Sequence, residues 1–64
     1  MKDKEILSID DMKTLQIKLA RRGYDVGDID GILGAGTRAA VKEEQKRLDL
    51  PADSWPTLEL LRKL

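Results

Sequence analysis

Acidic residues placed just before a glycine are the feature of this sequence closest to a metal site. Asp25, Asp28 and Asp30 precede Gly31, and an EF-hand calcium loop needs acidic or amide residues at positions one, three and five with glycine at six. Aligned on that glycine, position one is valine and position twelve is threonine, so two ligands are missing. We therefore predict no metal site, and we expect these Asp side chains to accept hydrogen bonds from nearby backbone N–H groups in turns.

Glycine spacing and paired carboxylates suggest two further kinds of chemistry. Gly31, Gly34 and Gly36 reverse the order of the dinucleotide-binding fingerprint, and no strand or Gly-Lys-Ser/Thr motif accompanies them. Adjacent carboxylates such as Glu43 and Glu44 could serve glycoside hydrolysis, but a chain of 64 residues offers little concave volume in which to desolvate them. We predict no catalytic residue and no cofactor.

The composition excludes several classes of protein. The chain has no Cys and no His, which excludes disulfides, thiolate or imidazole zinc sites, and Cys or His catalysis. Its 12 basic and 12 acidic residues balance, whereas nucleic-acid modules carry a basic excess. No membrane span and no secretion signal are visible. We expect either a cytosolic protein or a segment of a longer exported one.

Apolar residues spaced three and four apart predict three helices. Helix 1 is predicted over Ile9–Arg22, helix 2 from between Ala35 and Thr37 to about Leu48, and helix 3 over Leu58–Leu64, with Ser8 and Thr57 as N-caps of the first and third. The sequence therefore predicts an all-α, single-domain, three-helix bundle over residues 1–64, with residues 1–6 frayed. The predicted core residues are Leu15, Leu19, Ile32, Val41, Leu48, Leu58 and Leu61.

The segment between the first two helices, Tyr24–Gly36, reads as an ordered glycine-rich loop. Apolar residues alternate there with glycines, so we expect the apolar side chains to turn inward while the glycines take positive φ. The apolar residues in question are Val26, Ile29, Ile32 and Leu33.

Charged side chains on the predicted helices have the spacing of exposed faces. Arg38, Lys42 and Lys46 follow one another at intervals of four, as in a helix that reads DNA. Because glutamates share that helix and the net charge is zero, we interpret the stripe as a solvated face. Glu59 and Lys63 have the spacing of a helical ion pair.

Tyr24 and Trp55 are the only aromatic residues of the chain. Each could fill the edge of the core, as a small bundle requires, or could stack on a sugar or peptide. Trp55 lies in a turn before Pro56, and an exposed indole at such a position is suited to stacking on a sugar or peptide.

A family resemblance rests on several short motifs taken together. They are Leu15-Gln16-x-x-Leu19, Gly23-Tyr24, Asp30-Gly31-x-x-Gly34-x-x-Thr37-x-x-Ala40-Val41, Gln45 and Leu50-Pro51-Ala52-Asp53. From about Met12 to Leu64 the chain resembles the three-helix peptidoglycan-binding domain of bacterial cell-wall hydrolases. Its final segment looks most like the C-terminal modules of lytic murein transglycosylases. In such a domain Thr37 would bond within the first turn of helix 2.

The chain departs from that family pattern at three positions. Glu44 stands where the family usually has Phe or Tyr, and Asp49 and Ser54 stand where it usually has Gly. Either Trp55 fills the space left at Glu44, or that side of helix 2 is more exposed. Asp49 must either adopt a left-handed conformation or change the helix cap.

The resemblance implies a non-catalytic module that anchors a hydrolase to peptidoglycan. It implies a monomer in the periplasm or cell envelope, linked covalently to a catalytic domain, without nucleic-acid or membrane partners. We expect the binding surface where the Tyr24–Gly36 loop meets the start of helix 2, where backbone N–H groups could bind carboxylates of the stem peptide. The expected ligand contacts are Tyr24, Asp30, Arg38, Gln45 and Trp55.

Two alternatives remain open at this point. The same fold could be a protein-docking module that binds a neighbouring domain through helix 3 and Trp55. A DNA-binding three-helix domain is the third hypothesis, and the balanced charge disfavours it.

Overall fold

The computed structural model describes residues 7–64, so the predicted fraying of residues 1–6 lies outside the described residues. Three helices follow one another, α1 (Ile9–Arg21), α2 (Ala35–Arg47) and α3 (Leu58–Lys63). No strand lies among residues 7–64. The predicted all-α three-helix bundle is therefore confirmed.

The ends of α1 are formed by local hydrogen bonds that the sequence predicts. The Ser8 Oγ accepts a bond of 3.1 Å from the Asp11 N–H at the N-terminus. At the C-terminus Gly23 has φ +97° and donates to the carbonyl of Ala20, while Tyr24 donates to the carbonyl of Leu19. This paired arrangement is the Schellman motif, and it turns the chain sharply into the loop.

The C-terminus of α2 repeats that motif with a non-glycine residue. Asp49 has φ +60°, so the left-handed alternative is the one adopted. Its N–H donates to the carbonyl of Lys46, and the N–H of Leu50 donates to the carbonyl of Gln45. Ser54, the other position where glycine is usual, also has positive φ, at +65°. Both residues therefore carry a steric cost that glycine would not.

Three predicted core residues of the first two helices are confirmed, whereas the fourth, Leu48, is only half-buried. Leu15, Leu19 and Val41 are fully buried. On α3 the fully buried residue is Leu60, whereas Leu58 and Leu61 are half-buried at the edge of the core. The Thr57 Oγ1 caps α3 by accepting from the Leu60 N–H at 3.1 Å, as predicted.

The prediction that all apolar loop residues turn inward is wrong. Val26 is buried and Leu33 is half-buried, but Ile29 is 39% exposed and Ile32, a predicted core residue, is 67% exposed. The loop is held mainly by hydrogen bonds between its backbone and one polar side chain of α1, which is described below. Inward-facing apolar groups are therefore not required to order it.

Replacing Asp49 by glycine tests the cost of the left-handed cap. We expect Asp49→Gly to raise the free energy of unfolding by about 0.5–1 kcal/mol, because glycine adopts positive φ without a Cβ clash. Urea unfolding followed by circular dichroism measures the change. Asp28→Gly is the matched control: Asp28 is an exposed loop residue without positive φ, so glycine there should lower stability or leave it unchanged. Equal gains in both variants would contradict this account.

Candidate functional site

A buried glutamine of α1 fixes the loop between α1 and α2. Gln16 is 1% exposed. Its Oε1 accepts from the Gly31 N–H at 2.9 Å, and its Nε2 donates to the Ile32 carbonyl at 3.0 Å and to the Thr37 Oγ1 at 3.2 Å. One side-chain amide thus satisfies a donor and an acceptor of the loop backbone, as a neighbouring strand would.

The first turn of α2 is joined to the same loop by close contact. The Thr37 hydroxyl donates to the Val26 carbonyl at 3.4 Å, so it does not bond within its own turn as the resemblance implied. A Cβ placed on Gly36 would lie 2.7 Å from the carbonyl oxygen of Asp25. Glycine is needed at this position because the loop backbone passes directly over the start of the helix.

A second buried glutamine fixes the loop between α2 and α3 in the same way. Gln45 is 3% exposed. Its Oε1 accepts from the Ser54 N–H at 3.0 Å, and its Nε2 donates to the Trp55 carbonyl at 3.0 Å and to the Asp53 Oδ1 at 3.2 Å. We call Gln16 and Gln45 the two glutamine clamps. Each lies on one helix and holds the loop that follows that helix.

The second clamp fixes the backbone position of Trp55. The Asp53 Oδ1 also accepts from the Trp55 N–H at 2.9 Å, which closes a tight turn around Ser54. Pro56 is fully buried immediately after Trp55. The backbone of the half-buried Trp55 is therefore held at its N–H by Asp53 and at its carbonyl by Gln45.

A cleft of about 150 Å³ opens beside this loop. It lies between the C-terminal half of α2, the turn and the start of α3. Its walls combine apolar, acidic and aromatic groups. The lining residues are Gln45, Leu50, Pro51, Asp53, Trp55, Thr57 and Glu59. This concave site differs from the surface expected at the start of α2.

The five predicted contact residues separate into distinct environments. Gln45 and Trp55 both line the cleft. Tyr24 is half-buried against the core, and its hydroxyl is engaged by Glu44. Asp30 is exposed and accepts from the Ile32 N–H at 2.9 Å, as predicted for a turn, and Arg38 is exposed on the second turn of α2. Contact of any of the five with a ligand stays a prediction.

Several cleft residues were not identified from the sequence. Leu50, Pro51 and Asp53 were noted only as part of a family motif, and Thr57 only as a cap. Glu59 was assigned to a helical pair with Lys63, yet within residues 7–64 no ion pair joins these two side chains. The sequence signal that could have identified Glu59 as a cleft residue was its position in the first turn of α3, close in sequence to Trp55.

Glu44, which stands where the family usually has an aromatic residue, is buried. Its side chain is 2% exposed, so the expected alternative of a more exposed helix face is wrong. The Arg47 Nη2 donates to its Oε1 at 2.8 Å and the Tyr24 hydroxyl to its Oε2 at 2.7 Å. The Arg22 Nη1 lies 3.7 Å from its Oε1. A carboxylate with three partners thus occupies the space of a ring.

These partners determine the ionisation of the cluster. The hydrogen bond from Arg47 holds the pKa of Glu44 below its usual value; the Tyr24 hydroxyl and Arg22 act in the same direction, against the effect of burial. The hydrogen bond to Glu44 raises the pKa of Tyr24, because a donated bond stabilises the protonated phenol. At neutral pH the cluster is therefore a carboxylate between cations and a neutral phenol.

The family model described as "Putative peptidoglycan binding domain" matches residues 8–64. This chain belongs to the peptidoglycan-binding domain family. A search of curated proteins found no match. No helix among residues 7–64 is long and apolar enough to cross a membrane.

Two solved structures of SltB3 from Pseudomonas aeruginosa are similar to this peptidoglycan-binding domain. The complex with NAG-anhNAM-pentapeptide is 45% identical with a TM-score of 0.84, over 91% of this chain and 16% of that chain. The complex with NAG-NAM-pentapeptide is 43% identical with a TM-score of 0.88, over 98% of this chain and 17% of that chain. The domain thus spans about one sixth of the length of SltB3. The resemblance to a lytic transglycosylase module is confirmed.

The Glu44 cluster predicts a specific pH dependence of stability. Because its folded-state pKa is lowered, the stabilisation is complete above the unfolded pKa of about 4.3 and is lost as pH falls through the folded value. Glu44→Gln should cost about 1–3 kcal/mol at pH 7, and its difference from the natural chain should shrink below about pH 4. Urea unfolding at several pH values measures this.

The matched control for that experiment is Glu43→Gln, which removes a neighbouring glutamate that is 58% exposed. It should cost little at pH 7, because an exposed ion pair contributes at most about 1 kcal/mol. A Glu44→Gln penalty that is small at pH 7, or that is unchanged down to pH 2, would show that the buried carboxylate is not stabilising.

The two glutamine clamps predict a reciprocal pattern of loop opening. Replacing each by methionine keeps side-chain volume but removes its hydrogen bonds, which should cost about 1–3 kcal/mol. Gln45→Met should accelerate hydrogen exchange at the Ser54 amide and leave Gly31 protected, whereas Gln16→Met should do the reverse. Hydrogen exchange followed by NMR measures both. Acceleration of both amides in both variants would mean that the loops are not held separately.

Proposed function

We propose that this domain is a non-catalytic module that holds a larger cell-wall enzyme on peptidoglycan. Membership of the peptidoglycan-binding family supports the ligand class. The similarity to about one sixth of SltB3 supports a place beside a catalytic domain in one chain. An exported parent acting in the periplasm or cell envelope, and a monomeric domain within it, complete the proposal.

The observation that carries the proposal is the cleft beside Trp55. Its loop is held by Gln45, so the backbone that carries Trp55 is fixed before any ligand arrives. Preorganisation reduces the entropy lost on binding. A flat aromatic side chain can stack on a sugar ring or on a peptide group, and peptidoglycan contains both.

The size of the cleft supports weak binding at a single site. At about 150 Å³ it is smaller than the 300–1,000 Å³ typical of pockets that enclose a whole small molecule. It can therefore hold one group of a polymer rather than a whole repeat unit. A tethered enzyme benefits from such a module because covalent linkage makes the second binding event intramolecular and raises the effective concentration of substrate.

The predicted contacts outside the cleft have a secondary place in this proposal. Arg38 is exposed near the N-terminus of α2, and the N-cap Gly34 supplies no side-chain hydrogen bond to that end of the helix. Arg38 and the backbone N–H groups at the start of α2 can contact a stem-peptide carboxylate of a neighbouring peptidoglycan strand. Asp30 and Tyr24 shape the loop and the buried cluster, and their contribution to binding is indirect.

A second candidate function, docking to another protein domain, is favoured by one observation. Ile9 is 65% exposed and Ile32 is 67% exposed. Both are next to Gly31: Ile32 follows it in the chain, and a Cβ placed on Gly31 would be 2.6 Å from the Ile9 Cγ2. Such an apolar pair suits a protein contact. This surface differs from helix 3 and Trp55, through which the sequence predicted docking.

Co-sedimentation with purified insoluble peptidoglycan tests the proposed function. We expect the chain to be retained, and Trp55→Ala to reduce retention about tenfold, the effect of losing a contact of about 1.4 kcal/mol. Ile29→Ala is the control, because Ile29 is exposed on the other loop. Circular dichroism checks that each variant is folded. Absence of retention would favour the docking function instead, and loss of retention only on Ile32→Ser would contradict a binding site at the Trp55 cleft.

A further inference from the structure

We infer that Arg22 and Arg47 together bind a peptide carboxylate at the exposed side of the Glu44 cluster. This inference rests on the proposed function for the source of the carboxylate, since peptidoglycan contains peptides and a free peptide end is a carboxylate. It names one group of the polymer and the side chains that recognise it. None of the three residues lines the Trp55 cleft, so the two arginines form a separate contact.

The two arginines come from different helices and meet at one atom. Arg22 caps the C-terminus of α1, and Arg47 is the last residue of α2. The Arg47 Nη2 lies 2.8 Å from the Glu44 Oε1, and the Arg22 Nη1 lies 3.7 Å from the same oxygen. Two neighbouring cations would repel each other without a carboxylate between them. Glu44 therefore keeps two guanidinium groups close together at the surface.

Both guanidinium groups have N–H donors that bind no protein atom. Arg47 donates to Glu44 only through Nε and Nη2, which leaves Nη1 and one N–H of Nη2. Arg22 lies too far from Glu44 for a hydrogen bond, and its side chain donates to no other group within residues 7–64. The Arg22 side chain is 36% exposed and that of Arg47 50% exposed. These donors are therefore accessible to a ligand.

The charges around the pair favour an anion. The next glutamate on α2, Glu43, is 3.6 Å from the Lys46 Nζ and is thus paired with a cation of its own. The three cations Arg22, Arg47 and Lys46 and the two carboxylates Glu43 and Glu44 leave one positive charge. An approaching carboxylate is therefore attracted to this group of side chains.

The presence of a buried carboxylate where the family usually has a ring supports the same role. Stability alone does not account for it, because well-packed apolar groups serve as well as a buried ion pair or better. Glu44 does, however, hold the Arg47 side chain by two of its nitrogens before any ligand arrives. A guanidinium fork matches a carboxylate with two parallel hydrogen bonds. Glu44 is thus a positioning residue, and the two arginines are the binding residues.

A titration with N-acetyl-alanyl-alanine, followed by NMR of the arginine Nε–H signals, tests for the site directly. The inference predicts that the free peptide shifts the Arg22 and Arg47 signals and that its C-terminal amide does not. Absence of a shift, an equal response to the amide, or equally large shifts at Arg21 and Arg62 would overturn it. Inorganic phosphate is the third probe. A response to phosphate without a response to the peptide would overturn the assignment to a carboxylate.

Two neighbouring arginines provide a matched pair of variants. Arg22→Gln should weaken binding of the free peptide about three- to fivefold, the loss expected for one exposed charge pair. Its side chain makes no hydrogen bond within residues 7–64, so the fold should be retained, which circular dichroism checks. Arg21→Gln removes the same charge from an exposed residue without an ion pair in that range and should bind like the natural chain. Equal weakening by both variants would contradict a specific site.

The positioning role of Glu44 is separated from the effect of charge by Glu44→Leu. This variant fills the position with an apolar group and makes the chain more positive. If charge alone attracted the peptide, binding would become tighter. The inference predicts binding at least threefold weaker in the folded variant, together with a shift of the Arg47 Nε–H signal towards that of the solvated Arg62. Tighter binding would overturn the positioning role.

Amidation of the polymer carboxylates tests the site on peptidoglycan itself. We expect amidation to weaken retention of the natural chain about three- to fivefold, and Arg22→Gln to weaken retention only on the untreated sample. Equal retention of the natural chain on both samples would overturn the carboxylate inference while leaving the proposed function in place. Retention on neither would overturn the proposed function and, with it, the source of the carboxylate.

Discussion

The hydrogen bonds from two buried glutamine side chains to loop backbone are the interactions on which this structure depends. Backbone N–H and C=O groups removed from water need partners, and residues 7–64 form three short helices without a strand that could supply them. Gln16 and Gln45 supply both kinds of partner at once. Two loops that would otherwise be open to solvent therefore become fixed surfaces.

This arrangement explains how so small a chain can present a site. Few apolar residues are buried, so packing alone constrains the loops weakly. The clamps are internal, which leaves the outer faces of the loops available for ligand. Gln45 fixes the backbone position of Trp55, and both residues line the cleft. The small core also leaves room for only a small cleft, of about 150 Å³, and such a site fits the tethered module that we propose.

Glu44 shows that a buried carboxylate with hydrogen-bonding and charged partners can replace an aromatic residue in this family. A buried carboxylate is costly unless its partners are well placed. Here Arg47 and the Tyr24 hydroxyl contact both of its oxygens, and Arg22 adds charge from the end of α1. The cluster joins α1, the loop and α2 by directed bonds where a ring would join them by packing. One consequence is that the stability of this junction depends on pH.

The sequence predicted the helices and their caps well, because periodicity and capping are local. For Asp49 the sequence left two alternatives, a positive φ or a changed helix cap, and the first is the one adopted. The positions of Ile32 and Leu60 were not predicted, because tertiary contacts decide which apolar residues are buried. Gln45 was expected as a ligand contact, which stays a prediction, and its hydrogen bonds to the loop that follows α2 leave no local signal in the sequence. The cleft was missed for the same reason, since its walls come from three separate segments.

Peptidoglycan retention of the two clamp variants tests the central claim most directly. The claim is that Gln45 builds the binding surface, whereas Gln16 builds a loop elsewhere. Gln45→Met and Gln16→Met remove equivalent hydrogen bonds, so each controls for the stability lost in the other. The account predicts that, at a temperature where both are folded, Gln45→Met loses most retention and Gln16→Met keeps it. Equal retention by the two variants, or loss confined to Gln16→Met, would contradict it.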